Sequence, residues 1–286
     1  MSRFLAPGWR SALLALLVFL ILPDFPSALR SLVPITETWI LFAAALSICA
    51  ALGWWNGGNI WLAVAAIILG WYAAMAPAGA GPGTYRSLVH GWTLLLAASF
   101  GLASLLTPGQ RFFLRALSAI GIAAVLAFAV TVATPDGVVS VRSAMKTEFS
   151  RRTEETVGVV NEMANTPFWR QAVERSPSLD SVVKSNESDL RAIADRSART
   201  APALVALESL LALTLAWVMY HRIAATELGP ALGALKEFRF NDQLVWGLAV
   251  GATIFFLPVF ADGKDAGLNL LVFFGALYLL RGIGVL

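Results

Sequence analysis

The stretch APALVALESLLALTLAWVMYHR, residues 201 to 222, is apolar enough to cross a bilayer and yet carries a carboxylate, Glu208. An ionisable side chain inside a span is a candidate for binding or proton chemistry, because an unpaired charge there is costly. Glu208 lies about five residues, roughly 8 Å of helix rise, from one end of that run. At this depth a glutamate also reaches the headgroups, so a functional and an interfacial carboxylate look alike in sequence. The same level of the membrane should hold Glu37, Trp39, Tyr85, Arg86, His90, Trp92, Asp262 and Asn269 at the mouths of other spans. Glu208, His90, Trp39, Trp92 and Asn269 are the candidate lining of an outward-facing pocket, with Glu208 as charge partner of a cationic or hydrogen-bonding solute. An aromatic belt with solvated loop ends produces the same set of residues.

Other chemistry is poorly represented. The chain has no HExxH, GxSxG or Walker motif, and its two histidines, His90 and His221, fall at opposite membrane faces in the topology derived below. The single cysteine, Cys49, sits mid-way along an apolar run, so an intrachain disulfide is impossible and a thiolate metal cluster within one chain is excluded. No catalytic residue, metal or cofactor is expected, and the chain reads as a non-enzyme. Glu208 with His90 is the one pair that loosely suits acid–base work. The glycine-rich AGAGPGTYRS, residues 78 to 87, lacks the Lys and Ser or Thr of a phosphate loop and reads as a flexible loop, able to act as a lid.

The elements that must position these residues are membrane helices. Of 286 residues 58% are hydrophobic and 14% charged, against about 45–50% and 25% for soluble domains, and the mean hydropathy is +0.71. Apolar runs near residues 11–22, 36–52, 60–76, 88–106, 112–134, 203–220, 244–261 and 266–283 approach the roughly 20 residues that a span requires. The expected fold is therefore all-α and polytopic, with about eight transmembrane helices. The first run is short and ends at Pro23 and Pro26, so it either spans, re-enters, or belongs to a signal peptide whose cleavage site is not evident.

Short-loop Lys and Arg set the expected orientation. An N-terminus inside the cell puts Arg3, Arg10, Arg111, Arg115, Arg222, Lys236 and Arg239 in the cytoplasm, against Arg30, Arg86 and Lys264 outside. A net charge of +3, scattered over many loops, fits this bias and excludes a nucleic-acid surface. Residues 1–134 then hold about five spans, 135–202 an extracytoplasmic segment, and 203–286 about three spans with a cytoplasmic loop at 221–243. The 135–202 segment has ten basic and ten acidic residues. Val138, Val141, Met145, Phe149, Val157 and Val160 recur at mostly helical spacing, and a second stripe of Leu179, Val183, Leu190, Ile193 and Ala194 leads towards the sixth span through Pro202. A helical hairpin outside the membrane is expected, its apolar faces packed together or on a partner.

On the other face, ATELGPALGALKEFRFNDQLVWG, residues 225 to 247, has Pro230 at a candidate first helical position and Leu228, Leu232, Leu235 and Phe238 on one face. Leu232, Lys236, Phe238, Arg239 and Asp242 are candidate partner-docking residues; a tethering loop is the alternative. Gly247 and Gly251 permit close helix approach.

The stretch LGPALGALKEFRFNDQLVWGLAVG with the following Leu257 and Pro258 resembles the C-terminal signature of the YybS-like family of bacterial polytopic membrane proteins. The order of five spans, a helical extracytoplasmic segment and a final group of spans is similar too. That resemblance implies spans like those of the substrate-binding subunits of energy-coupling-factor transporters, where a small solute sits near the outer face and a coupling subunit docks inside. It carries no solute-specific motif, so no ligand residue follows from it. Two functions are expected to compete: a solute-binding or transport-associated module of the bacterial inner membrane, dependent on a separate ATPase, and a structural or assembly protein that docks envelope or division partners.

Overall fold

A computed structural model describes residues 35–75, 83–107, 109–176, 178–224, 228–232 and 244–285. Within these, the side chains of 35, 36, 170, 172–174, 178–191, 193–195, 262 and 283–285 are outside the description. Among the described residues the chain is all-helical: α1 (Ile35–Trp55), α2 (Ile60–Met75), α3 (Thr84–Leu106), α4 (Phe112–Ala133), α5 (Gly137–Ala164), α6 (Pro167–Arg175), α7 (Ser178–Ile223), α8 (Val245–Phe256) and α9 (Lys264–Val285), with a 3-10 turn at Pro258–Gly263.

Small residues let the helices approach. Ala43, Ala63, Ala116, Ala119, Ala123, Ala212 and Ala216 are all buried, and in lipid, where apolar surface gains little by leaving the solvent, such close van der Waals packing is what holds spans together. α1 sits at the centre against α2, α3 and α7, and α7 also packs on α5 and α9. The core threads Phe100, Phe112, Leu213 and Trp217 between these alanines. α8 and α9 form a hairpin whose crossing lies at two glycines: a Cβ on Gly267 would come within 2.7 Å of the Phe255 nitrogen and 2.9 Å of the Gly251 oxygen.

Among the described residues five helical segments are long and apolar enough to cross a membrane: Glu37–Trp55, Thr84–Leu106, Phe112–Ala133, Arg196–Ile223 and Lys264–Gly282. Two of the eight expected spans are shorter apolar helices, α2 and α8, and the run at 11–22 lies outside the described residues. The run expected at 244–261 breaks because Leu257, preceding Pro258, is extended (φ −77°, ψ 127°) and the chain continues as a 3-10 turn; a residue before proline is driven out of the helical region. At 12 residues, α8 is about 18 Å long.

The 135–202 segment is helical, but one expectation about it changes, the apolar face of its first helix. α7 runs unbroken from Ser178 to Ile223 through Pro202, so the hairpin's second arm and the following span are one helix of 46 residues. And the face that α5 buries is mostly polar, made of Glu148, Arg152, Thr153, Thr156 and Val157, while Val138 is exposed. α5 packs lengthwise on α7 and on α3. Where a helix from Pro230 is expected, Gly229 to Leu232 is non-helical, and 233–243 lies outside the described residues.

Candidate functional site

The site is built where α5 folds back over the ends of three spans. α4 and α5 are joined by Thr134–Gly137, with Asp136 left-handed (φ 55°) and the Gly137 nitrogen donating to the Thr134 carbonyl at 2.9 Å. Any Cβ at Gly137 would fall 2.1 Å from the Thr131 oxygen, so glycine is what permits a reversal this tight. It returns α5 directly across the mouth of the bundle.

On α5, Glu148 and Arg152 are one turn apart and face inward. The Arg152 Nε donates to Glu148 at 2.8 Å, and its Nη2 donates to the Glu37 carboxylate in the first turn of α1. The guanidinium also lies over the Tyr85 ring of α3, 5.5 Å from its centre, while the Tyr85 hydroxyl donates to Glu37 at 3.1 Å. Three elements are thus pinned at one point. Glu37 is 5% exposed and Arg152 9%, so water screens the pair little. Burial works against the charge of Arg152, but Glu37 and Glu148 outweigh it and hold the group above the ordinary arginine range. Burial likewise opposes ionisation of Glu148, and hydrogen bonds from Arg151 and Arg152 overcome that, keeping its carboxyl below the ordinary glutamate range.

One residue along α1, the Thr38 hydroxyl donates to the carboxylate of Glu208 on α7. Among the described residues no basic side chain forms an ion pair with Glu208. The next residue, Ser209, is fully buried and accepts from the Trp92 indole nitrogen at 2.8 Å. The result is a polar cluster of two span carboxylates, Glu37 and Glu208, lying close enough to influence one another, with one cation, Arg152, engaged by the first.

Of the residues singled out in sequence, Glu208 and Trp92 are brought together through Ser209, alongside Glu37 and Tyr85. His90 is directed elsewhere: its Nε2 lies 2.7 Å from the Ala74 carbonyl of α2. Trp39 is 46% exposed and leans on Phe42. Arg86 donates to the Met75 carbonyl, and the Asp262 side chain is outside the description. Asn269 works as a splint. Its Oδ1 accepts from the Ala203 nitrogen at 2.8 Å and its Nδ2 donates to the Arg199 carbonyl at 2.8 Å, the two groups that would otherwise bond each other one turn apart beside Pro202. Leu232 is buried in the core, while Lys236, Phe238, Arg239 and Asp242 lie outside the described residues.

Sequence reading passed over Thr38, Glu148 and Arg152. Thr38 carried no signal beyond its adjacency to Glu37. Arg152 sits in a run of alternating charges that resembles a solvated face, and only the tertiary fold turns it inward.

The family model described as Predicted membrane protein (DUF2232) matches residues 93–286. The chain belongs to that family. The matched region includes Glu148, Arg152, Glu208, Ser209 and Asn269, and begins after Glu37, Thr38, Tyr85 and Trp92, so the family's portion supplies α5 and α7 and the preceding segment supplies the α1 side of the cluster. No curated protein and no solved structure matches the chain. As a polytopic membrane protein it contacts the lipid bilayer.

Proposed function

We propose that the chain is a solute-binding or transport-associated membrane protein, not an enzyme, whose solute is a small organic cation. The observation that carries this reading is the asymmetry of the two carboxylates: Glu37 is ion-paired with a guanidinium, whereas Glu208 beside it has a hydroxyl partner and no ion pair among the described residues. A carboxylate in a span without a counter-ion favours a visiting cation, which supplies the missing charge in a poorly screened setting. The Tyr85 face adds a surface that already accommodates a guanidinium. Arg152 then acts as a tethered stand-in that occupies half of the site while α5 is down.

In this reading the cluster faces outward across a bacterial inner membrane, with the N-terminus inside, and uptake depends on a separate ATPase. The YybS-like resemblance, with its likeness to the binding subunits of energy-coupling-factor transporters, supports that arrangement. Equilibrium dialysis of the purified full-length protein against agmatine, glutamate and glucose tests it. Binding of agmatine alone, lost in Glu208→Gln, is expected. Equal binding of all three, or of none, rejects it.

A second reading, docking of envelope or division partners, is favoured by the exposed Met163 and Phe168 near the turn between α5 and α7. Met163→Ser with Phe168→Ser should then abolish partner capture and leave agmatine binding untouched.

A further inference from the structure

The opposite end of the bundle holds a second buried cation. Arg115, in the first turn of α4, is 1% exposed. Its Nη1 donates to the Leu228 carbonyl at 3.2 Å, and its Nη2 to those of Thr107 at 3.3 Å and Gln110 at 3.4 Å. Carbonyls satisfy these hydrogens but leave the full positive charge in place, and among the described residues no carboxylate pairs with it. The Nε hydrogen has no acceptor among the described residues. The guanidinium lies 5.2 Å from the centre of the Trp217 ring, and Trp217, 0% exposed, has an indole N–H that is also without an acceptor.

Two orphaned donors beside one uncompensated cation are deficits of the same kind: each lacks a negatively charged acceptor. Buried donors are rarely left unmade without a reason, and an intramembrane arginine points to a partner. We infer that Arg115 and Trp217 form a binding site for a phosphate group. The planar guanidinium fork matches phosphate oxygens, and the end of a span is the level at which headgroup phosphates lie. Gly229 closes over the pair: an added Cβ there would sit 3.4 Å from Arg115 Nη2 and 3.5 Å from the Trp217 ring edge, in van der Waals contact with both. The non-helical segment at 228–232 is the cover; His221 ties it to α7, its Nε2 lying 3.1 Å from the Gly229 carbonyl. As that segment moves away, phosphate oxygens replace the Leu228 carbonyl and reach Arg115 Nε and Trp217 Nε1. Exposed Arg111 and Arg222 flank the same end and add to the attraction for an anion.

The phosphate could belong to a lipid headgroup or be free in solution, and two probes separate these. Full-length protein in lipid-free detergent is titrated with inorganic phosphate by thermal shift. In parallel, native mass spectrometry measures retention of phosphatidylglycerol against a phosphate-free glycolipid. Wild type is expected to bind one probe, and Trp217→Phe to bind it about tenfold more weakly, as for loss of one charge-assisted hydrogen bond; Arg115→Gln should lose it altogether. Phosphatidylglycerol retention alone assigns a headgroup, and a response to inorganic phosphate alone assigns the free anion. Trp217→Phe preserves the ring and its packing, so the result stands even where Arg115→Gln fails to fold. Equal behaviour of wild type and Trp217→Phe towards both probes overturns the site.

Discussion

Asn269 of α9 takes up both ends of the one hydrogen bond that Ala203 and Arg199 would have made within α7, accepting from the Ala203 N–H and donating to the Arg199 carbonyl. This is how α7 passes through Pro202 without ending. Replacing Asn269 with Ala removes both hydrogen bonds, an expected loss of about 0.5–1.5 kcal/mol for each. Adding Pro202→Ala should recover part of it, since the helix can then close its own ladder. Chemical unfolding in detergent reads both changes, and a fully stable Asn269→Ala protein would refute the splint.

The Glu37 and Arg152 pair links α5 to α1. Removing one partner of a buried pair leaves the other uncompensated, at about 3–5 kcal/mol. Glu37→Gln and Arg152→Gln are each expected to destabilise on that scale, and the double variant to lose clearly less than the sum. Strict additivity in the double-mutant cycle means the two groups do not interact.

Glu148 gives the attachment of α5 a pH dependence. Its carboxyl is held below the ordinary glutamate range by Arg151 and Arg152, so the unfolded chain takes up a proton at higher pH than the folded one. The stabilisation is complete above the ordinary glutamate range and is lost as pH falls through it and below. Limited proteolysis of α5 should therefore accelerate on acidification in wild type. Glu148→Gln should be more readily cleaved at neutral pH and show a flatter acid response.

Gly267 sets the α8–α9 crossing. Gly267→Ala meets backbone atoms on α8, which cannot swing aside as a side chain does, so a cost of about 1–3 kcal/mol is expected from overpacking. The unfolding midpoint checks it; a midpoint at or above wild type argues that the hairpin opens freely.

Composition made the membrane class plain, because apolar runs of span length have few alternatives. Glu208 was visible for the same reason, as a charge in such a run. The polar cluster around it was not, since Thr38 and Arg152 acquire meaning only when α5 lies across α1 and α3, a long-range relationship with no local periodicity. How α7 continues past Pro202 was not legible either, because the group that supports it, Asn269, stands 66 positions away in sequence from the nitrogen it serves. Arg115 counted only as a loop charge setting orientation; its burial beneath Trp217 follows from packing at the other end of the bundle.

The most direct test of the cation site is the affinity of agmatine for Arg152→Gln compared with wild type, measured by isothermal titration on full-length protein. If Arg152 occupies the place of the solute, removing it frees the Glu37 carboxylate beside Glu208 and agmatine binds on the order of tenfold more tightly. Unchanged or weaker binding in a folded Arg152→Gln protein contradicts the site.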